Sequence, residues 1–155
     1  VGDGATFAPL QAFIAGKGLQ DRIVMTGRVP HGDVPGLLAA MDLAVLPSAG
    51  DYTSPVKLFE FMACGIAPIA PAFEPIREVL TEDANGWMFP AGRLEAAADI
   101  VIARSRDPEA LQRVGQAARQ YIHDHRQWRH NVLQLVDLYR RVRRPSPRVP
   151  VEIAS

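Results

Sequence analysis

The sequence predicts an α/β fold in which a parallel sheet is covered by helices on both faces. Short, continuous apolar segments alternate with helical segments in the N-terminal part of the chain, and the C-terminal part is helical. Strands that are apolar along their whole length are typical of parallel sheets, because helices bury both faces of such strands. A chain of 155 residues is long enough for one domain with its own core.

Glycine, proline and apolar periodicity define the individual elements. "VGDG" (1–4) is typical of a strand end and its turn, and the segment 6–17 predicts a helix that Gly18 closes. The same signals predict, in order, strand 22–27, helix 34–41, strand 43–48, helix 55–64, strand 67–70, helix 74–80, strand 85–89 and helices 93–105, 108–122 and 126–143. Pro145 ends the last helix, so residues 144–155 are predicted to form a loose tail.

Composition excludes several classes of protein. Lys and Arg together number 17, as do Asp and Glu, so the domain as a whole is not expected to bind nucleic acid or a membrane surface through net charge. The apolar segments are shorter than a membrane span, and no signal-peptide pattern is present. Cys64 is the single cysteine, which excludes an internal disulfide and favours a reducing, cytoplasmic compartment. It is more typical of a small buried residue than of a nucleophile.

The segment "SPVKLFEFMACGIAPIA" (54–70) predicts one helix and one strand, and it contains a misplaced cation. Ser54 is a good N-cap and Pro55 suits the first helical position. Lys57 then lies in the first turn, where a positive charge opposes the helix dipole at a cost of about 0.3–1 kcal/mol when exposed. Because a helix N-terminus is itself an anion site, a lysine there suits a doubly charged ligand such as a diphosphate.

Three loops are predicted at the carboxyl ends of the strands, where ligands bind in sheets of this kind. They are Gly2–Ala5, with Gly2 and Gly4, then Gly27–Val29, and Ser48–Pro55, which leads into the helix with Lys57. Glu60 lies one turn after Lys57 on the same face and is a candidate acceptor for ribose hydroxyls. The alternative is an exposed Lys57–Glu60 pair worth about 0.2–0.5 kcal/mol, and the apolar surroundings argue against it.

Five segments, in this order and spacing, resemble the C-terminal, donor-binding half of GT-B retaining glycosyltransferases, most closely family 4, or group 1. They are "VGDG", "DRIVMTGRVPHGDVPGLLAAMDLAVLPS", "SPVKLFEFMACGIAPIA", "REVLTEDANGWMFP" and "WRHNVLQLVDLYRRV". The resemblance covers residues 1–143 and implies a Rossmann-like domain that faces a second one across a cleft. It implies transfer of a sugar from a nucleotide-sugar donor to an acceptor, without a metal ion or other cofactor.

The resemblance also implies roles for individual residues. The backbone of Gly27, Arg28 and Val29 would line the nucleobase. Ser54 and Pro55 would open the helix whose backbone N–H groups, at Val56, Lys57 and Leu58, hold the diphosphate, with the Lys57 side chain beside them. Glu60 matches the second glutamate of the family's E-x7-E motif, which binds the ribose. The first glutamate of that motif falls at Tyr52, so Asp51 next to it is the candidate substitute near the transferred sugar.

The family's domain begins one strand and one helix earlier, so the resemblance implies that this chain, which starts at Val1, is part of a longer, bacterial protein. The expected partners are a nucleotide-sugar donor and an N-terminal acceptor domain, and the isolated chain is expected to be inactive. Two alternatives stay open: a GT-B sugar-nucleotide epimerase, and an inactive fragment that only binds nucleotide. A homodimer through exposed sheet edges and a peripheral membrane contact through the longer protein, at the inner face of the membrane, also stay open.

The remaining motifs favour structural roles. In "HDHRQWRH" (123–130), His123 and His125 do not share a helix face, which argues against a zinc site. Glu74, Glu78 and Glu82 are typical of a solvated face. The arginines at 140–144 suit the C-terminal end of a helix, where the dipole favours cations, better than an RNA-binding surface.

Overall fold

The computed structural model describes residues 2–47 and 55–142, and in these residues a parallel three-stranded sheet is packed between helices. The N-terminal part contains α1 (Phe7–Gly16), a short 3-10 turn (His31–Asp33), α2 (Val34–Ala39) and β1 (Leu43–Val45). The central part contains α3 (Val56–Ala63), β2 (Ala67–Pro71), α4 (Glu74–Arg77) and β3 (Trp87–Phe89). The helices α5 (Leu94–Arg104), α6 (Pro108–His125) and α7 (Trp128–Val142) follow. These elements confirm the predicted α/β fold and its predicted elements, apart from strand 22–27 and the strand end expected at 1–4, of which residues 2–4 form no strand.

The strands lie in the order β1-β2-β3, and each pairs in parallel with its neighbour in sequence. Leu43 is opposite Ala67, and Ile69 is opposite Trp87. A parallel pair needs a crossover connection, and α3 and α4 lie in the two connections here. The N-terminus of α3 therefore lies at the carboxyl edge of the sheet, as the sequence predicts.

The core has two layers because alternate residues of β2 point to opposite faces of the sheet. Ala70 packs with Leu58 and Met62 of α3 and with residues of α4 and the turn after it. Ala67 and Ile69 pack on the other face, in a cluster that contains the fully buried Trp87 and residues of α5 and α6. Every residue of β2 is buried, which is why this strand reads as a continuous apolar segment.

The predicted strand at 22–27 is wrong. Residues 23–27 form no sheet ladder with any described residue. Val24 is 80% exposed, and the Gly2 N–H donates to the Gly27 carbonyl at 2.7 Å. A strand needs a paired neighbour as well as an apolar composition, and composition was the only property that could be read locally.

Smaller differences concern element ends, which vary by a residue or two in any assignment. Helix α6 runs to His125, three residues beyond the prediction, and α7 begins at Trp128. Gly65 follows α3 with φ +78°, a left-handed conformation that favours glycine at a helix end. The predicted tail at 144–155 lies outside the described residues.

Candidate functional site

The first turn of α3 forms one side of the candidate site. Pro55 precedes the helix with φ −78° and ψ 61°, so it occupies the N-cap position and the helix begins at Val56. The prediction that Pro55 is the first helical residue is therefore wrong by one position, and Ser54, the predicted N-cap, lies outside the described residues. The backbone N–H groups of Val56, Lys57 and Leu58 belong to the first turn, which has no helical acceptors for them.

Lys57 is exposed and Glu60 is partly buried, whereas Leu58 and Met62 on the inner face are completely buried. The premise that apolar neighbours surround Lys57 is wrong. Val56, which contributed to that interpretation, is itself 57% exposed, because only one face of α3 contacts the sheet and α6. The argument for a ligand at Lys57 therefore depends on its place at the helix N-terminus.

Lys57 and Glu60 line the same groove, which has a volume of about 620 Å³. Its floor is the segment from Leu43 to Pro47, including all of β1, and Phe61 of α3 contributes beside Glu60. Residues on and next to α2 form the apolar wall: Val34, Leu37, Leu38 and Met41. The groove thus combines a cation, a carboxylate and a helix N-terminus at the carboxyl edge of the sheet.

No ion pair joins Lys57 to Glu60 in the described part of the chain. The simple i,i+3 surface pair therefore does not account for their placement. Both side chains instead face shared open space, where an anionic group and a set of hydroxyls would each meet a complementary partner.

The structure brings together two other predicted loops. The bond from Gly2 to Gly27 fixes residues 2–4 beside 26–27, with φ +124° at Gly2 and +65° at Gly27. Arg28 is exposed and Val29 is partly buried. Gly2 and Gly4 line a second groove of about 330 Å³, together with residues of α1 and of the extended segment Ile23–Thr26.

The structure shows no hydrogen bond between these two groups of predicted residues, the loops at Gly2 and Gly27 and helix α3, in the described part of the chain. Asp51 and Tyr52, the candidates for contact with the transferred sugar, lie outside the described residues, as does Ser54. The described site therefore consists of the phosphate and ribose candidates, Lys57 and Glu60, and the nucleobase candidates Gly27, Arg28 and Val29 do not line the same groove.

Other candidate groups have structural partners. Hydrogen bonds with His123 and Gln120 lower the pKa of Asp124, which is exposed on α6 and away from the groove. The ring of His125 lies 5.1 Å from that of Tyr121. In the described ranges no group of three metal-binding side chains is present, and no helix has the length and apolar content to cross a bilayer.

Sequence reasoning missed two contributions to this region. One is the apolar wall formed by α2. The sequence "VPGLLAAM" predicts a helix there, but it does not show that this helix lies next to β1. The other is a contact behind α3. Tyr121 Oη and Arg126 Nη2 both donate to the Glu78 carbonyl at 3.2 Å, beside a small cleft that Pro55 and Phe59 also line.

Comparisons with known proteins identify the family of this chain. Residues 1–121 match the sequence model of the family described as glycosyl transferases group 1. The chain is 31% identical over 124 residues to the amylovoran biosynthesis glycosyltransferase AmsK of Erwinia amylovora, covering 77% of this chain and 30% of that protein. It is 28% identical over 117 residues to alpha-D-kanosaminyltransferase of Streptomyces kanamyceticus, covering 76% and 30% of the two chains.

A solved structure confirms the fold. HepE of Anabaena, in complex with UDP and glucose, superposes with a TM-score of 0.78 at 20% identity, covering 91% of this chain and 39% of HepE. At that identity the likeness shows the fold alone. The chain spans about 30% of the length of both glycosyltransferases named above. The family match covers most of the chain, and the sheet and the α3 site lie within it, so this chain belongs to the glycosyl transferases group 1 family.

Proposed function

We propose that this chain supplies the donor-binding half of a retaining glycosyltransferase and holds a nucleoside diphosphate sugar at the N-terminus of α3. The observation that carries the proposal is the placement of Lys57 and Glu60 in one groove beside the first turn of α3. HepE of Anabaena, which shares this fold, was crystallised with UDP and glucose, and this complex supports the ligand class. The whole enzyme's activity, donor and acceptor are part of the proposal, because the chain covers under a third of those curated relatives.

In this proposal the diphosphate binds to backbone N–H groups of Val56, Lys57 and Leu58, and the Lys57 ammonium adds an ionic contact. When the bond from the sugar's anomeric carbon to the phosphate oxygen breaks, the electron pair stays on the diphosphate. Fixed donors stabilise that developing charge, and removal of one such donor costs enzymes about 10²–10³-fold in kcat. Glu60 accepts hydrogen bonds from the ribose and orients the nucleotide.

Several parts of the proposal depend on residues beyond the described site. Asp51 contacts the transferred sugar, with Tyr52 next to it, and Gly27, Arg28 and Val29 present their backbone to the base. Transfer is preferred to epimerisation because the relatives named above are glycosyltransferases. An N-terminal acceptor domain completes the active site, the reaction is in the cytoplasm, and the chemistry uses no metal ion.

Calorimetric titration of the chain with UDP, GDP and ADP tests the donor site. We expect Lys57→Ala to weaken binding of the preferred diphosphate by about tenfold or more, since a hydrogen bond to a charged group contributes roughly 1.5–3 kcal/mol. Glu60→Gln should weaken binding of the nucleoside diphosphate but not of inorganic pyrophosphate, which has no ribose.

The chain contains a matched control for the first variant. Lys17 is the other of the two lysines in the chain. It is exposed at the end of α1, with its Nζ 5.9 Å from the centre of the Phe13 ring. Lys17→Ala should leave nucleotide affinity unchanged. Equal affinity of wild type, Lys57→Ala and Lys17→Ala for the bound nucleotide would contradict the proposed phosphate site.

A further inference from the structure

Asn85 is the one polar residue that is buried among the residues that the structure describes, with 6% of its surface exposed. It lies in the turn of residues 81–86, which connects α4 to β3. Because the strands are parallel and β3 begins at Trp87, this turn lies at the amino edge of the sheet. The candidate site lies at the opposite, carboxyl edge, so the proposed transfer reaction does not use the turn.

The side-chain amide of Asn85 holds this turn together through both of its polar atoms. Its Oδ1 accepts from the Thr81 N–H at 2.7 Å, and its Nδ2 donates to the Val79 carbonyl at 3.0 Å. An amide has both the acceptor and the donor that these two partners need. An aspartate carboxylate cannot donate to the Val79 carbonyl, and it would bring a negative charge into a buried position, which is costly.

The next residue, Gly86, has no room for a side chain. A Cβ there would lie 2.9 Å from Leu80 Cδ2 and 3.0 Å from Pro68 Cγ, so a larger residue would overpack this part of the core. The packing thus requires glycine directly after a buried asparagine. An Asn–Gly pair is chemically labile, because a residue without a Cβ hinders attack of its own backbone nitrogen on the preceding side chain least.

The reaction to which such a pair is prone is deamidation. The backbone nitrogen of Gly86 attacks Cγ of Asn85, and a C–N bond forms. The bond from Cγ to Nδ2 breaks, and the side-chain nitrogen leaves as ammonia, which takes up the proton of the Gly86 N–H. Water then adds to either carbonyl carbon of the cyclic imide and opens it to aspartate or isoaspartate. The reaction needs water and no oxidant or reductant.

We propose that Asn85 is a deamidation site that the native fold protects and that opening of the turn 81–86 makes reactive. In the native fold, hydrogen bonds hold both polar atoms of the amide, and the Gly86 carbonyl accepts from the Asp83 N–H at 3.1 Å. The carboxylate product does not fit the native turn, so each deamidation removes a chain irreversibly from the folded population. This inference is independent of the nucleotide site.

Arginines of α5 and α6 hold the turn closed through Asp83. Arg104 Nη2 donates to Asp83 Oδ1 at 2.8 Å, and Arg113 Nη1 donates to the Asp83 carbonyl at 3.2 Å. The Trp87 indole N–H also donates to Asp83 Oδ1, at 2.7 Å. Asp83 has φ +57°, a left-handed conformation that is uncommon for residues other than glycine. Loss of the Arg104 contact should therefore favour opening of the turn without altering Asn85 itself.

Mass spectrometry of tryptic peptides from the intact chain measures the reaction. Cleavage at arginine gives peptide 78–93, which contains Asn85, and peptide 130–140, which contains Asn131, the other asparagine of the chain. At mildly alkaline pH we expect Asn85 to deamidate at least about tenfold faster in urea that unfolds the chain than in buffer. Asn131 precedes the β-branched Val132, which hinders attack, so it should react slowly in both solutions.

Arg104→Ala and Arg106→Ala test whether the turn controls the reaction. Arg106 is exposed two residues further on, and no hydrogen bond or ion pair links it to another described residue. In buffer, Arg104→Ala should increase the deamidation rate of Asn85 severalfold, whereas Arg106→Ala should leave that rate unchanged. Both variants lose the same charge, and circular dichroism checks that both retain the fold.

Asn85→Asp and Asn131→Asp test the effect of the product on the fold. Both variants make the same chemical change, the first at a buried residue and the second at an exposed one on α7. We expect Asn85→Asp to unfold at a clearly lower urea concentration than wild type, or to remain unfolded in buffer. Asn131→Asp should unfold close to the wild-type urea midpoint.

Three results would overturn the proposal. The first is deamidation of Asn85 as fast in buffer as in urea, or no faster than that of Asn131 in urea. The second is the same deamidation rate in Arg104→Ala and Arg106→Ala. The third is the same urea midpoint for Asn85→Asp and Asn131→Asp, which would show that the native turn accepts the deamidated residue.

Discussion

Gly115 shows how one residue sets the distance between two elements. A Cβ at this position would lie 2.1 Å from the Gly65 carbonyl oxygen, so α6 and the turn after α3 are in backbone contact. Gly65 in turn needs its left-handed φ of +78° to end α3. This pair therefore determines how closely α6 approaches the helix that carries Lys57.

We expect Gly115→Ala to lower the free energy of unfolding by about 3 kcal/mol or more. Overpacking a core typically costs about 1–3 kcal/mol, and the added methyl group here would meet a backbone carbonyl, which cannot move aside as a side chain can. Urea unfolding, monitored by circular dichroism, measures this change in the free energy of unfolding. Gly36→Ala in α2 is the control: no atom lies within 4 Å of its added Cβ, so helix propensity should leave it neutral or stabilise it by up to about 1 kcal/mol. Equal stabilities of the two variants would contradict the backbone contact.

The helices differ in whether a side chain accepts a hydrogen bond from the unpaired backbone N–H groups of the first turn. Helix α6 has Asp107 as its N-cap, and the carboxylate accepts from the Ala110 N–H at 3.0 Å, with Pro108 in the first helical position. Among the residues that the structure describes, α3 has no side-chain cap, and the same is true of α1, α2, α4 and α5. The missing cap therefore does not distinguish α3, and the proposed anion site depends on Lys57 and Glu60 beside the first turn.

We expect Asp107→Ala to reduce the free energy of unfolding by about 1 kcal/mol, the usual value of a helix N-cap. Thermal unfolding by circular dichroism is a suitable measurement. Asp99→Ala on the exposed face of α5 removes the same charge without a cap and should change stability much less. A comparable loss in both variants would assign the effect to charge instead of capping.

Stability is expected to be unevenly distributed over the molecule. The strand β2 is buried along its whole length between two core layers, whereas the extended segment at 23–27 has no ladder partner among the described residues. Local opening requires little free energy where few buried contacts are lost.

Hydrogen exchange measured by NMR tests this difference. The amides of Ile69 and Ala70 should exchange among the slowest, through global unfolding, and that of Val24 among the fastest. A Val24 amide as protected as that of Ile69 would show that a partner pairs with this segment in solution. The same result in dilute and concentrated samples would exclude a second copy as that partner.

Much of this protein could be predicted without a structure, because the signals are local. Glycine, proline and continuous apolar segments determine where most helices and strands begin and end, and the order of motifs identifies the family. Lys57 stood out as a site residue because a cation in the first turn of a helix is unfavourable in the absence of a ligand. These inferences needed neighbouring residues in sequence and nothing more distant.

The remaining properties depend on which distant segments pack together. Residues 23–27 have a strand composition but no ladder, Lys57 is exposed although its neighbours are apolar, and the wall from α2 completes the groove. The contact of Gly115 with Gly65 joins positions fifty residues apart. Pairing and burial are set by non-local packing, which composition does not encode, so tertiary structure was required to assign them.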